Sequence, residues 1–436
     1  MLKAQNRLGL VFFPAFDWAI SPTHPEREER LLYTQDQVIE EGLLDIEGII
    51  EYRPRLATTR DVERVHVCVP DVKSRTTESH LIAAGGAMVA AEAVIKGEVD
   101  RAFALVRPPG HHAFRIVHGA RGFCNINIEA IMLEYIRQQY GPKRVAIVDT
   151  DCHHGDGTQD IYWHDKDTLY ISIHQDGRTL YPGSGFLHEF GGPNALGYNL
   201  NLPLPPGTGE DGFLYALDNF ILPVLEEFKP DLIINSAGQD NHYTDPITNM
   251  RFSAPGYAKL NDRLKPDIAV LEGGYSIEGA LPYTNVGIIL AMAGLDYSYV
   301  REPDYAPAKV SQPAEITQYI ADLCRQALNA WRNREEIAAK LRSGQEKVQR
   351  HRRIYYDTEG LLETQTETTL ICDACAGLSW IDSCTDQGEH ILAVFIPRSS
   401  CSRCYEEGYK IFEQTPKQNF THLYLQDRLK DILLYR

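Results

Sequence analysis

Positive charge is in short supply in this 436-residue chain: 43 Lys and Arg stand against 60 Asp and Glu, a net charge of −17. A field of that sign repels phosphate backbones, so nucleic acid is not expected as a direct partner. Long apolar runs are missing as well. The strongest late one, Val286 to Leu295, falls far short of the ~20 residues a bilayer demands, and no charged segment followed by an apolar one opens the chain. The expectation is no membrane partner and a cytoplasmic location. Internal repeats and long low-complexity tracts are absent too. Cysteine is too sparse and too oddly placed for a secreted disulfide framework: of nine, Cys68, Cys124, Cys152 and Cys324 are scattered singly. Only Cys372, Cys375, Cys401 and Cys404 form a pattern, two C-x-x-C pairs, with Cys384 a bystander between them.

That pattern is metal spacing. Four thiolates in tetrahedral geometry close the coordination of Zn²⁺, which suits a structural staple for a domain too small to hold a core alone. A redox dithiol would need one exposed pair and gain nothing from the second. Strand-like runs such as Ile391–Ile396 lie between the pairs, so residues 356–436 read as a zinc-ribbon-like domain. Because single cores stop growing at roughly 250 to 300 residues, a larger domain should occupy 1–296. Between them, 297–355 reads as a linker, Tyr297 to Ser311, and a long amphipathic helix whose stripe is Ile316, Ile320, Leu323, Ala327, Ile337, Leu341 and Val348. Residues 325–353 carry nine Lys or Arg against three Glu, a solvated face, a dock for the chain's own acidic surface, or a contact for another molecule.

Within the larger domain, Ala102–Val106, Val145–Val148, Leu169–Ile173, Leu232–Asn235 and Ile268–Leu271 are continuous apolar runs of strand length. Such strands are covered on both faces in parallel sheets, and Cys124–Gln139 and Asp211–Phe228 have helical spacing between them. The fold class is α/β, layered around a mostly parallel sheet. Every run is followed by polar residues: His111 and His112, then Asp149 to His154, then Ser172 and His174, then Asp240, then Tyr275. Ligands of open α/β sheets bind at the carboxyl ends of strands, so five segments converge where such a fold puts its site. Asp149, Asp151 and His153 alternate along an extended segment and project to one side. Asp151 and His153 can grip one ion with Asp240 as the third ligand, leaving a position for water or substrate.

Together these segments resemble the histone deacetylase and acetylpolyamine amidohydrolase superfamily, which has the arginase-like three-layer α/β fold. The resemblance runs from about Leu8 to Met292. It rests on His24-Pro25-Glu26-Arg27-Glu28-Glu29-Arg30-Leu31, Arg107 to His112, Gly122-Phe123-Cys124-Asn125, Asp149 to Gly157, Tyr181 to Gly185, Asn201 to Thr208, Ser236 to Asp240 and Glu272-Gly273-Gly274-Tyr275. It implies a catalytic zinc on Asp151, His153 and Asp240, and an acid/base pair His111 and His112 supported by Asp149 and Asp156. It also implies Tyr275 as donor to the developing oxyanion. A monovalent cation, usually potassium, is implied near Asp149, Ser172 and the backbone of Asp151 and His153. A substrate channel follows, walled by Phe123 and Tyr181 with Gly122 and Gly274 beside it, the alternative for Phe123 being a plain core aromatic.

The implied reaction is hydrolysis of an acetyl or other short acyl group from lysine in a protein or peptide. The alternative is an acetylated small amine, which a homo-oligomer narrowing the entrance would favour. A non-catalytic acyl-lysine reader has no need of Tyr275, and a two-metal arginase-like centre would require more carboxylates. Gln239 and the polar stretch Asn241 to Thr244 depart from the usual pattern and point to an unusual pocket mouth. Ile247, apolar where some polyamine-specific members carry an acid, favours acyl-lysine.

Overall fold

Each of the five apolar runs becomes a strand, and three further strands join them in one sheet. The computed structural model describes residues 2–141 and 143–436. The strands are β1 (Lys3–Phe13), β2 (Glu47–Tyr52), β3 (Arg101–Val106), β4 (Val145–Asp149), β5 (Thr168–Gln175), β6 (Asn199–Leu204), β7 (Leu232–Ser236) and β8 (Ile268–Val270). They are ordered β2-β1-β3-β8-β7-β4-β5-β6, and every neighbouring pair is parallel. Of the three additional strands, β1 has an apolar run of its own, Leu8–Phe13, with Leu8 and Leu10 in one core and Val11 in the other, although it is not among the five. β2 and β6 are the sheet edges; Glu47 and Glu51 of β2 are exposed, and β6 contains Pro203, which an edge strand tolerates because its missing N–H costs no ladder bond.

The sheet has a core on each face, and β3 shows why its run is unbroken. Phe103 and Leu105 enter one core; Ala102, Ala104 and Val106 enter the other. The second core is roofed by the helices Glu78–Ile95 and Ile128–Tyr140, the first by Ala254–Leu264, Leu281–Ala293 and a helix with a π turn running from Glu210 to Phe228. Among the described residues, Glu78–Ile95 is the one helix long and apolar enough to cross a membrane, and 61% of it is buried inside the molecule. Helix, sheet and helix make three layers.

The expected single amphipathic helix is two, Ala314–Arg332 and Arg334–Arg342, broken at Asn333. Ile320, Leu323, Ala327 and Trp331 of the first helix sink into the core beneath Glu210–Phe228. Gly344, at φ +73°, then turns the chain out of the helix, so Val348 belongs to a strand instead of the stripe. The C-terminal sheet accordingly begins at Lys347. Its strands β9 (Lys347–Tyr356), β10 (Leu361–Leu370), β11 (Leu378–Thr385), β12 (His390–Ile396), β13 (His422–Asp427) and β14 (Ile432–Tyr435) pair in sequence order. All pairs are antiparallel except β12 with β13, which are joined through the helix Ser402–Gln414.

This second domain is fastened to the first by an apolar seam and by charge. Val67, Val69 and Ile116 meet Ile381, Ile391, Ala393 and Phe395. Above them, Asp160 receives Arg350 (3.3 Å) and Arg352 (2.6 Å), and Arg115 bridges Asp160 (3.3 Å) and Glu367 (2.5 Å). Arg350 and Arg352 of the basic segment therefore dock on the chain's own acidic surface.

Candidate active site

The four central strands β3, β8, β7 and β4 deliver the predicted residues to one place at their carboxyl ends. Asp151, His153 and Asp240 converge so that one ligand atom from each lies within 4.8 Å of the others, all buried. Alternation along a strand is not what aligns them, because β4 stops at Asp149. Two successive side-chain turns do it: Asp151 N–H donates to Asp149 Oδ1 (3.1 Å), and His153 N–H donates to Asp151 Oδ1 (2.8 Å). Each carboxylate captures the amide two residues on, which winds the segment tightly and keeps the alternate side chains on one side. Cys152 N–H donates to Asp240 Oδ1 (2.7 Å) and Gly273 N–H to Asp151 Oδ2 (2.6 Å), so both carboxylates are aimed by backbone from other strands.

The electrostatics are those of a cation site. His153 Nδ1 lies 2.7 Å from Asp240 Oδ2 and 3.3 Å from Asp151 Oδ1. Burial opposes a charge on His153, but Asp240 and Asp151 prevail and raise it to about 10. Asp240 is pushed up to about 6, by burial and by the charge of Asp151. Two buried carboxylates and one imidazole nitrogen facing a common point suit zinc, with ligand bonds of about 2.0–2.2 Å and room for a further ligand.

His111 and His112 stand side by side beside this triad, ring centroids 4.2 Å apart. His111 Nδ1 is 3.2 Å from Asp149 Oδ2, and His112 Nδ1 is 2.9 Å from Asp156 Oδ1. Each Nε2 is thereby left to face the site, with its tautomer set by a carboxylate behind it. Their surroundings drive the two apart. Burial works against the His111 imidazolium, yet Asp151 and Asp149 hold its pKa well above the ordinary value; burial, His111 and Arg121 hold that of His112 well below it. One proton donor beside one acceptor is the arrangement that acid/base chemistry at neutral pH requires.

Tyr275, 8% exposed, closes the site, its ring 5.4 Å from Phe123 and 4.9 Å beneath the Arg30 guanidinium. Phe123 is half-buried and adopts φ +68°, and nearby the Tyr181 ring lies 5.2 Å from that of His112. Gly122 (φ +52°) passes so close that an added Cβ would overlap the His112 ring, and Gly274 (φ +118°) gives its carbonyl to Arg30 Nε at 2.7 Å. Ser172 is in register with Asp149 on the neighbouring strand, and its Oγ lies 2.7 Å from His174 Nδ1.

Several supporting groups have no spacing signature. Glu272 accepts from the N–H groups of Gly110 (2.7 Å) and His111 (3.1 Å), fixing the histidine loop, and Tyr170 donates to Asp149 at 2.7 Å. Glu26 clasps Arg107 (2.7 Å) and Arg30 (2.8 Å) wholly out of solvent. His24 sets its ring edge-on to Phe123 at 4.3 Å. Gln239 is buried, its side-chain amide donating to Asn285, and it packs against Gly274. His242, beside the ligand segment in sequence, is buried and pairs with Glu302 at 3.3 Å.

At the far domain, the sulfurs of Cys372, Cys375, Cys401 and Cys404 also fall within 4.8 Å of one another. Cys372 Sγ and Cys401 Sγ are 3.7 Å apart, matching the about 3.8 Å edge of a tetrahedron with 2.3 Å metal–sulfur bonds. The Cys401 thiol, at the start of the last helix, is lowered to about 7 by the Cys404 backbone N–H, which favours the thiolate a metal needs.

A three-ligand cation site beside two carboxylate-backed imidazoles and a phenol, on a parallel three-layer sheet, is the equipment of a hydrolase acting on amides. Residues 70–285 match the histone deacetylase domain. A relative named "Probable deacetylase" from Archaeoglobus fulgidus is 45% identical over 357 residues, covering 76% of this chain and 93% of the relative. An "Acetylpolyamine amidohydrolase" from Burkholderia pseudomallei is 41% identical over 195 residues, 44% of this chain and 56% of that protein. The crystal structure of the HDA15 HD domain superposes with a TM-score of 0.65 at 27% identity, covering 79% of this chain and all of that one. The chain belongs to the histone deacetylase family.

Proposed function

We propose that this protein hydrolyses acetyl or other short acyl groups from lysine side chains in a protein or peptide, using zinc held by Asp151, His153 and Asp240. The observation that carries the reading is the carboxylate-backed histidine pair beside a complete cation triad with Tyr275 at its edge. A bound zinc polarises an acyl carbonyl and makes water acidic enough to serve as nucleophile near neutral pH. The chain's own groups do the rest. His112, neutral and oriented by Asp156, takes the proton of the attacking water, and the pair returns a proton to the departing amine. Tyr275 O–H donates to the oxygen that gains charge. Phe123 and Tyr181 supply two aromatic faces for an extended methylene chain.

Potassium near Asp149 and Ser172 would temper the charge behind His111. A zinc on the four cysteines would staple the second domain. All nine cysteines are free, which fits a reducing, cytoplasmic setting. The Burkholderia relative and the acidity of the chain favour a second reading, an acetylated polyamine. Turnover of acetyl-lysine peptides and acetylated polyamines, with and without a chelator, decides between them. We expect chelator-sensitive release of acetate with peptides preferred; activity that survives complete removal of metal would defeat the reading.

A further inference from the structure

The second domain reaches into the entrance of the first. The turn between β9 and β10 lies against the loop that follows the histidine pair. There Asp357 Oδ1 accepts the N–H of Gly122 at 2.9 Å, and both oxygens of Glu359 accept the N–H of Ala120, at 3.1 and 3.0 Å. The turn is seated for this purpose by packing: Ile354, Tyr356 and Leu361 bury against Phe114, and Tyr356 O–H donates to Ile116 O at 3.2 Å. Gly119 leaves space for the Glu359 carboxylate, which any Cβ there would meet.

Gly122 and Phe123 are consecutive residues in the left-handed region, φ +52° and +68°. For Phe123 that conformation is strained and persists only where its surroundings impose it. An exposed side chain on the other domain, Asp357, supplies an acceptor at the preceding amide. His112 takes its orientation from Asp156, whose other oxygen pairs with Arg121 at 2.5 Å.

We propose that Asp357 is a positioning residue for the active site: with Glu359 it clamps residues 120–122 and so sets Phe123 as a wall of the acyl-chain channel. The second domain is then part of the enzyme's substrate site. The proposal rests on the reading of Phe123 as a channel wall, and it predicts an effect on substrate capture more than on chemistry.

The test uses the full-length, metal-loaded protein. In Asp357→Ala, KM for an acetyl-lysine peptide should rise about tenfold, in the range expected for losing a hydrogen bond to a charged acceptor, with kcat within about threefold. Asp357→Asn, which keeps an acceptor oxygen and removes the charge, should recover most of the loss. Hydrogen exchange at the Gly122 and Ala120 amides should speed up in Asp357→Ala and Glu359→Ala and return toward the parent rate in Asp357→Asn. An unchanged KM in the alanine variant, or an asparagine variant as impaired as alanine, overturns the proposal. Should the parent prove inactive on every acylated amine, the deacetylase reading fails separately, and unchanged amide exchange in the alanine variants would still refute the clamp.

Discussion

Tyr275 has one polar atom to contribute, and the pocket around it is built to keep that atom protonated. Burial pushes its phenol well above the ordinary value, with the Arg30 guanidinium acting in opposition. Removing the hydroxyl in Tyr275→Phe should lower kcat by about 10²–10³, the loss seen when one oxyanion donor is removed, and leave zinc content unchanged by atomic absorption. Undiminished turnover would end the oxyanion role. The ligands and the histidine pair were legible in sequence because each ends an apolar strand in ionisable residues. Glu272 and Asp357 were not legible as working residues: their carboxylates act on backbone amides far away in the chain, and such partners leave no spacing to read. The resemblance had already drawn Glu272 into a motif without giving it a role.

Most strands buried on both faces announce themselves, β1 excepted; edges do not. β3, β4, β5, β7 and β8 were visible as runs of apolar residues, whereas β2 and β6 carry polar residues or proline at the sheet margin. The long helix was misread past Arg342 because Val348 happens to fall on the helical period while sitting in β9. Among the C-terminal elements the cysteine cluster ties the end of β10 to the start of the last helix, and two of its four sulfurs come from each. Cys375→Ser should therefore lower bound zinc by one equivalent per chain, loosen the second domain in a limited-proteolysis assay, and leave the catalytic ion in place. Metal content equal to that of the parent would exclude the four-thiolate site.

For the molecule as a whole, the joint between domains is where pH should act first. Glu134, on the helix Ile128–Tyr140, pairs with Arg398 of the second domain. Burial pushes its carboxyl up, but Arg398, Arg428 and Arg137 outweigh it and hold it at about 2, against an ordinary 4.5. A depressed carboxyl stabilises the fold above pH 4.5 and loses that contribution as pH falls toward 2, here about 3 kcal/mol. Urea unfolding at pH 6 and at pH 3 should show the drop, and Glu134→Gln should flatten it. A parent whose stability is the same at both values would show that the pair adds nothing.

The clamp has a consequence in time. Asp357 follows Tyr275 by more than eighty positions, and ribosomes extend chains at about 5–20 residues per second, so the hairpin emerges on the order of ten seconds after the last residue of the proposed catalytic set. A nascent copy owns its chemistry before it owns a finished doorway. Such an enzyme matures with its own translation, gaining its grip on substrate only when the later domain folds against the earlier one.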